Sequence, residues 1–549
     1  MPACGLDDGT QSWRRHSVTT KLALPCLLVF TGAALYLLPI APLGLNVYDE
    51  GVRLYGAQRV LAGDLPYHDF FAYYGPGQYY WPALLLKLFG QRILVVRLGA
   101  ILFVAVAAMA ACAICRHAGL AQYGALLPVV AIVLPLNSGH VLTTCDPALS
   151  LLLAAGAVLT GAWAKTSRHL LAGFIRGLAA LFRHDFGAYG CLAAVAAVSW
   201  SEWRTRWTSV GTPVKKAFGV ARTLAPLLMG IALVMVPGYG LLALRDPAQL
   251  LHALIVMLPA MMPYRTLPYF YDLPSLQESP LGGNFSIDAI RRAPVAMVFV
   301  MPLLAVALTV CLLAPRVRRR TCEVPARVTA LLFVLVSAAG VSIYALGRSD
   351  SYHVYPLHVL AACAIGIIGT SLWRPAYAGT TLNGPGLTAV MAFLLGAMLG
   401  AASADQVRAS ALNVRGAGRI IVADQLAWIP DALADIQAYA QGRPIFVAAP
   451  RHDRVHANAM ILYVLSKHPS GTYFHDLIPG VTTTRAVQER IVSDLKKNDV
   501  RTVVVWKTPF PDEPNLSSRP GSVYILDSFL HSEFSAVRQT TAYDILVKR

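Results

Sequence analysis

Residues 22–56 read LALPCLLVFTGAALYLLPIAPLGLNVYDEGVRLYG, and the first part of this stretch, 22–44, has no charged side chain. A helix needs about 20 mostly apolar residues to cross the hydrocarbon core of a bilayer. Asp49 and Glu50 follow shortly after the apolar run ends. The stretch therefore predicts a transmembrane helix with two adjacent carboxylates at its exit. Such residues form either an acidic first turn of a surface helix or part of a reaction site.

The whole chain has the composition of an integral membrane protein. Of its 549 residues, 56% are hydrophobic and 14% are charged, and the mean hydropathy is +0.54. The net charge of +17 comes from short Lys and Arg clusters between apolar segments. This distribution indicates membrane orientation and not a nucleic-acid partner. The nine cysteines all lie at or before Cys363, mostly in apolar segments, so we interpret them as core side chains.

The apolar segments predict about eleven transmembrane spans. They lie at 22–44, 93–115, 121–138, 147–164, 169–182, 186–200, 223–244, 293–314, 327–346, 355–372 and 384–402. The spans at 169–182 and 186–200 are short, so they form either a full hairpin or a half-inserted one. The first run is too long for a signal-peptide core, so we expect it to be retained.

Lys and Arg in the connections predict the orientation, because such residues are enriched on the cytoplasmic side. With residues 1–21 as a cytoplasmic tail, every strongly basic connection falls inside, including the cluster at 315–320. The acidic residues, among them Asp49, Asp146 and Asp350, then fall outside. We predict a polytopic α-helical protein of the inner or plasma membrane, with its N-terminus inside, its C-terminus outside and spans within 22–402.

The C-terminal tail, residues 403–549, has a different pattern from the apolar part. QLAWIPDALADIQAYA and TTTRAVQERIVSDLKKN have helical character, whereas RPIFVAAP and VRTVVVW resemble buried strands. This alternation predicts an α/β domain of roughly 130 residues, large enough to fold independently. The odd number of spans makes this domain extracytoplasmic.

Two polar clusters on the predicted outer side follow the first and third spans. The long loop 46–92 contains DEGVRLYGAQRVLAG, which has helical spacing and places Arg53 four residues after Asp49. Its aromatic residues suit the headgroup region, and a loop of this length is typical of a functional segment. In the second cluster Asp146 precedes Pro147, a pair that also fits an ordinary helix start.

Two further clusters combine basic, acidic and histidine side chains next to apolar segments. The third is LFRHDFG, which contains Arg183, His184 and Asp185. The fourth is LGRSDSYHVYPLH, which contains Arg348, Asp350, His353 and His358. Ionisable groups this close to lipid often line a polar cavity. An internal ion pair is the alternative for the third cluster, and a headgroup anchor is the alternative for Arg348 and His353.

These motifs resemble the glycosyltransferase-C superfamily. The features that carry the resemblance are the Asp-Glu pair, RVLAGDLPYHDFFAYYGPG, the external Asp-Pro and the late RSDSYH, and they cover roughly residues 20–375. More narrowly, the chain looks like bacterial members related to protein O-mannosyltransferases and to the lipid A aminoarabinose transferase. The resemblance implies an inverting transferase that moves a sugar from a polyprenyl phosphate to a hydroxyl on an envelope lipid, glycan or protein acceptor.

The resemblance also implies roles for individual residues. It makes Asp49 the general base, with Glu50 and Asp146 as supporting acids. It makes Arg348, His353 and Arg183 the ligands of the donor phosphate. Further candidates share charge and position on the outer side: Arg53, Asp185, Asp350 and Arg92. Arg92 or Lys87 would replace a donor-site lysine of some relatives that has no clear counterpart here.

No cofactor and no resident metal are expected, although Asp49, Glu50 and Asp146 have the oxygen atoms that a divalent cation prefers. Glu50 points about 100° away from Asp49 on a helix, which argues against a two-carboxylate glycosidase. The alternative function is a multi-pass transporter or lipid flippase with an external binding domain. It would show polar or broken helices at the bilayer midplane, whereas the polar residues here gather at one face.

Overall fold

The computed structural model describes most of the chain. The described residues are 24–120 except 43, 124–135 except 134, 146–161, 165–207, 213–271, 287–312, 325–373, 426–507 except 456, and 513–549. The predicted cytoplasmic tail 1–21, the basic cluster at 315–320 and the predicted span at 384–402 lie outside these residues.

The part of the chain before residue 374 is helical throughout its described elements. Its helices are α1 (Leu24–Ile40), α2 (Asp49–Leu61), α3 (Gly77–Phe89), α4 (Ile93–His117), α5 (Leu127–Val133), α6 (Asp146–Thr160), α7 (Lys165–Phe182), α8 (His184–Trp207), α9 (Pro213–Ala243), α10 (Pro247–Tyr264, with one π-helical and one 3₁₀ turn), α11 (Ile287–Cys311), α12 (Pro325–Gly347) and α13 (Ser351–Trp373).

Several of these helices are long and apolar enough to cross a membrane. Within the described residues, five segments meet that criterion: Ile93–His117, Phe218–Ala243, Pro247–Tyr264, Pro325–Gly347 and Ser351–Ile368. The protein is therefore a polytopic helical membrane protein, as predicted. None of the predicted spans covers residues 247–264, where the structure has the helix α10. The short spans predicted at 169–182 and 186–200 correspond to α7 and α8, which are not among these five.

Two ends of the helical part collect different residues. At one end, Arg327 at the start of α12 donates from Nε to the carbonyl of Ala118 at 3.2 Å, and His117 contacts the Thr160 hydroxyl at 3.1 Å. These residues follow or precede the connections predicted to be cytoplasmic. The other end contacts the tail. It contains the starts of α2 and α8 and the link between α12 and α13, where Arg348 binds Glu513 of the tail.

Local sequence determines how α2 begins. The Asn46 side chain accepts hydrogen bonds from the backbone N–H groups of Tyr48 at 3.0 Å and Asp49 at 2.8 Å. An Asn at this position satisfies donors that a helix start leaves free. The carboxylates of Asp49 and Glu50 occupy the first turn, where the helix dipole favours negative charge.

The tail folds around a four-stranded mixed sheet. Its elements are α14 (Ile429–Ala440), β1 (Ile445–Ala448), α15 (Ile461–Ser466), α16 (Arg485–Lys497), β2 (Thr502–Trp506), α17 (Ile525–Glu533), β3 (Phe534–Gln539) and β4 (Tyr543–Lys548). The strand order is β1-β2-β4-β3; β1 pairs parallel with β2, and the other pairs are antiparallel. Buried Val and Ile side chains on β1, β2 and β4 make these three strands part of the core.

The tail packs directly on the loop that follows the first helix. The backbone N–H of Ile461 donates to the carbonyl of Val47 at 3.0 Å, and that of Ser470 donates to the Tyr55 hydroxyl at 2.6 Å. Gly51 makes this approach possible, because a Cβ there would lie 2.4 Å from the Ile461 nitrogen. Apolar side chains of α2 and of the tail share one buried cluster. The loop and the tail therefore form a single packed unit.

Candidate functional site

A cavity of about 300 Å³ opens where the ends of several helices meet. Its wall contains residues from the 46–92 loop, the α7–α8 link, α10 and the α12–α13 link: Tyr73, Tyr74, Gly75, Arg183, His184, Asp185, Tyr189, Ala253, Met257, Leu258, Pro259, Met261, Met262, Arg265, Ile343, Tyr344, Gly347, Arg348 and His353. The structure thus brings the third and fourth clusters of the sequence analysis together, with aromatic and Met side chains between them.

A close backbone contact places the aromatic loop beside Arg183. A Cβ on Gly75 would lie 2.3 Å from the carbonyl oxygen of Leu181, near the end of α7. Only glycine fits such a contact without moving the backbone. Tyr73 and Tyr74, directly before Gly75, therefore lie along the same wall as Arg183.

Arg183 forms a bidentate ion pair with Asp185. Its Nε and Nη2 donate to the two carboxylate oxygens at 3.1 and 2.7 Å. The guanidinium also lies over the Tyr344 ring, 4.3 Å from its centroid. The internal ion pair, one of the two alternatives for this cluster, is present, and it lines the cavity as well. Asp185 thereby fixes the direction of the Arg183 fork.

Arg348 binds two carboxylates, one of them from the tail. Its Nε donates to Asp350 at 2.7 Å, while Nη1 and Nη2 donate to Glu513 at 3.0 and 2.7 Å. Asp350 also accepts from the backbone of His353 at 2.9 Å and contacts its ring nitrogen Nδ1 at 2.6 Å. Burial alone would raise the pKa of Asp350, but His353 and Arg348 together lower it to about 2.

Arg265 is a cavity cation that the sequence analysis missed. It follows α10 and lines the same wall. Among the described residues no carboxylate forms an ion pair with it, in contrast to Arg183 and Arg348. Burial would lower the pKa of Arg265, but the phenols of Tyr74 and Tyr73 raise it overall. The only sequence signal was a single Arg within the apolar and aromatic run MMPYRTLPY.

Asp49 is half-buried and is not among the residues that line the cavity. Its carboxylate accepts a hydrogen bond from the Asn46 amide at 3.1 Å. Arg53, which is 7% exposed, donates from Nε to the backbone carbonyl of Asp49 at 3.2 Å. The contact seen between the two residues thus differs from the side-chain pair that the spacing predicted. The negative charge of Asp49 raises the pKa of Tyr74, on the cavity wall, although burial is the larger cause.

Glu50 belongs to a structural ion pair. It is 2% exposed and accepts from Arg97 of α4 at 2.7 and 2.8 Å. Arg97 also donates to the carbonyls of Ala41 and Gly44, each at 2.8 Å. This arrangement ties α4 to the end of α1 and the start of α2. Glu50 was also predicted to support the chemistry, but none of these hydrogen bonds joins it to a residue of the cavity wall.

Arg92 and Lys87 do not line the cavity. Asp146 begins α6, but its side chain is outside the described part of the structure. Arg92 is the exposed residue before α4, and Lys87 near the end of α3 is exposed as well. Within the described residues, no group of three or more His, Cys, Asp or Glu side chains is arranged to hold a metal ion.

Asp476 is a second acidic residue that the sequence analysis missed. It is 1% exposed, and neither carboxylate oxygen has a hydrogen-bond partner within the described residues. Burial raises the pKa of Asp476 to about 7, and the charge of Asp49 contributes to the rise. Tyr48, Arg265 and Tyr73 act in the opposite direction but do not cancel it. The sequence FHDLIPG gave no sign of this environment.

No protein-family model and no curated protein sequence matches the chain. The crystal structure of ArnT from Cupriavidus metallidurans bound to undecaprenyl phosphate matches 95% of this chain and 97% of its own, with 17% identity and a TM-score of 0.52. Its apo structure matches 95% and 98%, with 14% identity and a TM-score of 0.50.

A more distant match is the oligosaccharyltransferase of Archaeoglobus fulgidus, with 11% identity, a TM-score of 0.43 and coverage of 87% of this chain and 68% of that one. At these identities the likeness to ArnT shows the fold alone. The chain shares the fold of ArnT over 95% of its length, which is the fold that the sequence resemblance implied.

Proposed function

We propose that this chain, which has the fold of ArnT, transfers a sugar from a polyprenyl phosphate to an acceptor hydroxyl at the extracytoplasmic face of the membrane. One observation carries the proposal: a cavity lined by three arginines, Arg183, Arg265 and Arg348, also has Tyr74 on its wall, and the charge of Asp49 acts on Tyr74. ArnT, which has the same fold, is bound to undecaprenyl phosphate in its crystal structure, and this supports a lipid donor of the same class. Fold alone does not define a function, so the site residues must carry the rest.

The proposed phosphate ligand is Arg265, with help from the predicted ligands Arg183, Arg348 and His353. The charges of Arg183 and Arg348 are balanced by Asp185, Asp350 and Glu513. Arg265 lacks such a partner among the described residues, so its charge is available to an entering anion. Guanidinium groups suit phosphate because they offer several donors in a fixed plane.

The proposed reaction is a single displacement at the anomeric carbon. The acceptor hydroxyl loses its proton to the Asp49 carboxylate, and its oxygen forms a bond to that carbon. The bond from the carbon to the phosphate oxygen breaks, and the polyprenyl phosphate leaves with the bonding electron pair. One displacement inverts the configuration. Arg265 and its neighbours stabilise the charge that develops on the leaving phosphate.

The proposed orientation puts the cavity and the tail outside the cell membrane. The sorting of Lys and Arg supports it, as does the separation of the Arg327 end from the cavity end. An acceptor in the cell envelope, which can be a lipid, a glycan or a protein, follows from this side of the membrane.

The test uses purified full-length protein with polyprenyl-phosphate-linked sugars in lipid vesicles. Loss of a general base lowers rates typically by about 10²–10⁴-fold, so we expect a loss of that order for Asp49→Asn. Exposed Asp499→Asn in the tail is the matched control and should keep the wild-type rate. Full turnover by Asp49→Asn would contradict the assignment of the base. Movement of intact lipid-linked sugar across the bilayer without transfer would favour the flippase alternative.

A further inference from the structure

The tail places a carboxyl group directly behind the cavity wall. Asp476 is not itself in contact with the cavity, but the charge of Asp476 acts on Tyr73, which lines it. Its two oxygens are buried and without hydrogen-bond partners among the described residues. Leaving a charged carboxylate in such a place is costly, because burial removes water and the nearby phenols of Tyr48 and Tyr73 offset that loss only in part. An unpaired buried carboxylate in a native structure therefore calls for a functional reason.

Groups of both signs face Asp476 from several elements. The charged ones are Asp49 at the start of α2 and Arg265 after α10. The negative charge of Asp476 also contributes to the raised pKa of four phenols: Tyr48, Tyr73, Tyr79 and Tyr463. His475, the preceding residue, stays neutral near pH 7 because burial and then Arg59 lower the pKa of its ring to about 3.

The balance between the charged and neutral forms of Asp476 depends on Arg265. The positive charge of Arg265 favours the ionised carboxylate, whereas Asp49 disfavours it. An anion bound to Arg265 would offset the positive charge and leave two carboxylates and an anion close together. Like charges in one site cannot all remain ionised without a large cost. The group that gains a proton most easily is the one that is fully buried and has a pKa of about 7, which is Asp476.

We propose that Asp476 is a positioning residue that couples the binding of an anion at Arg265 to the uptake of one proton behind the cavity wall. This proposal rests on the proposed function, because it takes the donor phosphate as the anion. The proton comes from solvent when the donor binds and returns when the polyprenyl phosphate leaves. With Asp476 neutral, the negative charge that it places near Asp49 disappears, so the two carboxyl groups take separate roles.

The linkage is reciprocal. If the bound anion raises the proton affinity of Asp476, protonation of Asp476 must raise the affinity for the anion by the same factor. For a shift of about one pH unit, anion affinity falls by up to about tenfold between about pH 6 and about pH 9. Asn at position 476 resembles the neutral carboxyl in size, so Asp476→Asn should bind the anion with little dependence on pH.

The experiment measures proton uptake by calorimetry with the full-length protein in detergent. The probe is a polyprenyl methyl phosphate, a diester whose own charge does not change near neutral pH. Titrations in buffers with different heats of ionisation give the number of protons taken up. Near pH 7.5 we expect about half a proton for the wild type and none for Asp476→Asn. The control Asp527→Asn, which removes a His452 partner elsewhere in the tail, should behave as the wild type.

The outcomes separate the two proposals. Diester binding without proton uptake in the wild type, or uptake that persists in Asp476→Asn, overturns the role of Asp476 and leaves the proposed function intact. Failure of the wild type to bind the diester contradicts the proposed function, and the linkage with it. Infrared titration of the ligand-free protein gives an independent check. A protonated carboxyl band should titrate near neutrality, disappear in Asp476→Asn and titrate at a lower pH in Asp49→Asn.

Discussion

Asp49 and Glu50 are adjacent, yet we expect their neutralisation to have different effects. Glu50 and Arg97 form an ion pair whose side chains are 3% and 5% exposed, so solvent screens it little. Glu50→Gln would leave the Arg97 charge buried without its counter-ion. Breaking one side of a buried pair costs about 3–5 kcal/mol. We therefore expect a loss of stability of that order, with nearly normal turnover per folded molecule.

A double variant tests whether the charge pair is the cause. Glu50→Leu with Arg97→Met removes both charges and replaces them with apolar groups. The carbonyls of Ala41 and Gly44 still lose the donors that Arg97 provides. An unsatisfied buried acceptor costs about 1–3 kcal/mol. Replacing a buried ion pair by apolar groups is itself neutral or stabilising by about 1–4 kcal/mol, which offsets part of this loss. The double variant should therefore be more stable than Glu50→Gln but less stable than the wild type.

The assay combines thermal denaturation in detergent with sugar transfer normalised to the folded fraction. Asp49→Asn should show the opposite pattern, with stability close to the wild type and transfer reduced by about 10²-fold or more. If Glu50→Gln melted as the wild type and lost transfer as Asp49→Asn does, Glu50 would act in the chemistry. A double variant less stable than Glu50→Gln would also refute the reasoning.

Three further predictions concern Arg265 on the cavity wall, the contact of Gly51 with the tail, and stability in acid. Arg265→Ala should raise the KM for the lipid donor about tenfold or more, because a charged hydrogen bond is worth about 1.5–3 kcal/mol; the exposed Arg485→Ala serves as control, and an unchanged KM would exclude Arg265 as the phosphate ligand. Gly51→Ala should lower the melting temperature, because its Cβ would meet the Ile461 backbone at 2.4 Å; an unchanged melting curve would contradict this packing. The pKa of Asp350 is lowered from 3.8 to about 2, so its contribution to stability is present above about pH 4 and disappears as the pH falls through about 2. Melting curves recorded at falling pH should show this loss of stability in the wild type but not in Asp350→Asn. Identical curves for the two proteins would argue against the interaction of Asp350 with Arg348 and His353.

The tail contributes more to the cavity region than a separate external domain would. Glu513 binds Arg348 beside the cavity, and Asp476 lies behind the wall. The backbone of Phe71 donates to the carbonyl of Tyr473 at 3.1 Å, and the Tyr473 hydroxyl donates to the carbonyl of Tyr67 at 2.6 Å. Removal of the tail would therefore expose the 46–92 loop, and we expect that it would unfold the loop as well.

Sequence reasoning found the residues that stand out from their local surroundings. Arg183 and Arg348 interrupt apolar stretches, and a charge next to a span is visible without any knowledge of the fold. Both line one cavity in the structure. Asp49 was visible for the same reason, as an acid at the end of an apolar run. The role of each remains a proposal that the experiments above can test.

The residues that sequence reasoning missed depend on distant partners. Arg265 was one of many scattered basic residues, and it differs from Arg348 only because Glu513, far along the chain, pairs with Arg348 and not with it. Asp476 has no unusual neighbours in sequence; the folded tail removes it from water and brings it near Asp49.

The sequence alone determined that the chain lies in a membrane and where its polar clusters stand, because hydropathy and charge act over one helix length. Only the tertiary structure decided that the adjacent carboxylates Asp49 and Glu50 have different partners. Glu50 meets Arg97, 47 positions away, and is neutralised in the core. Asp49 accepts a hydrogen bond from Asn46 instead, and its charge acts on Asp476, as does the charge of Arg265. Pairing over such distances depends on packing between helices, which local pattern does not encode.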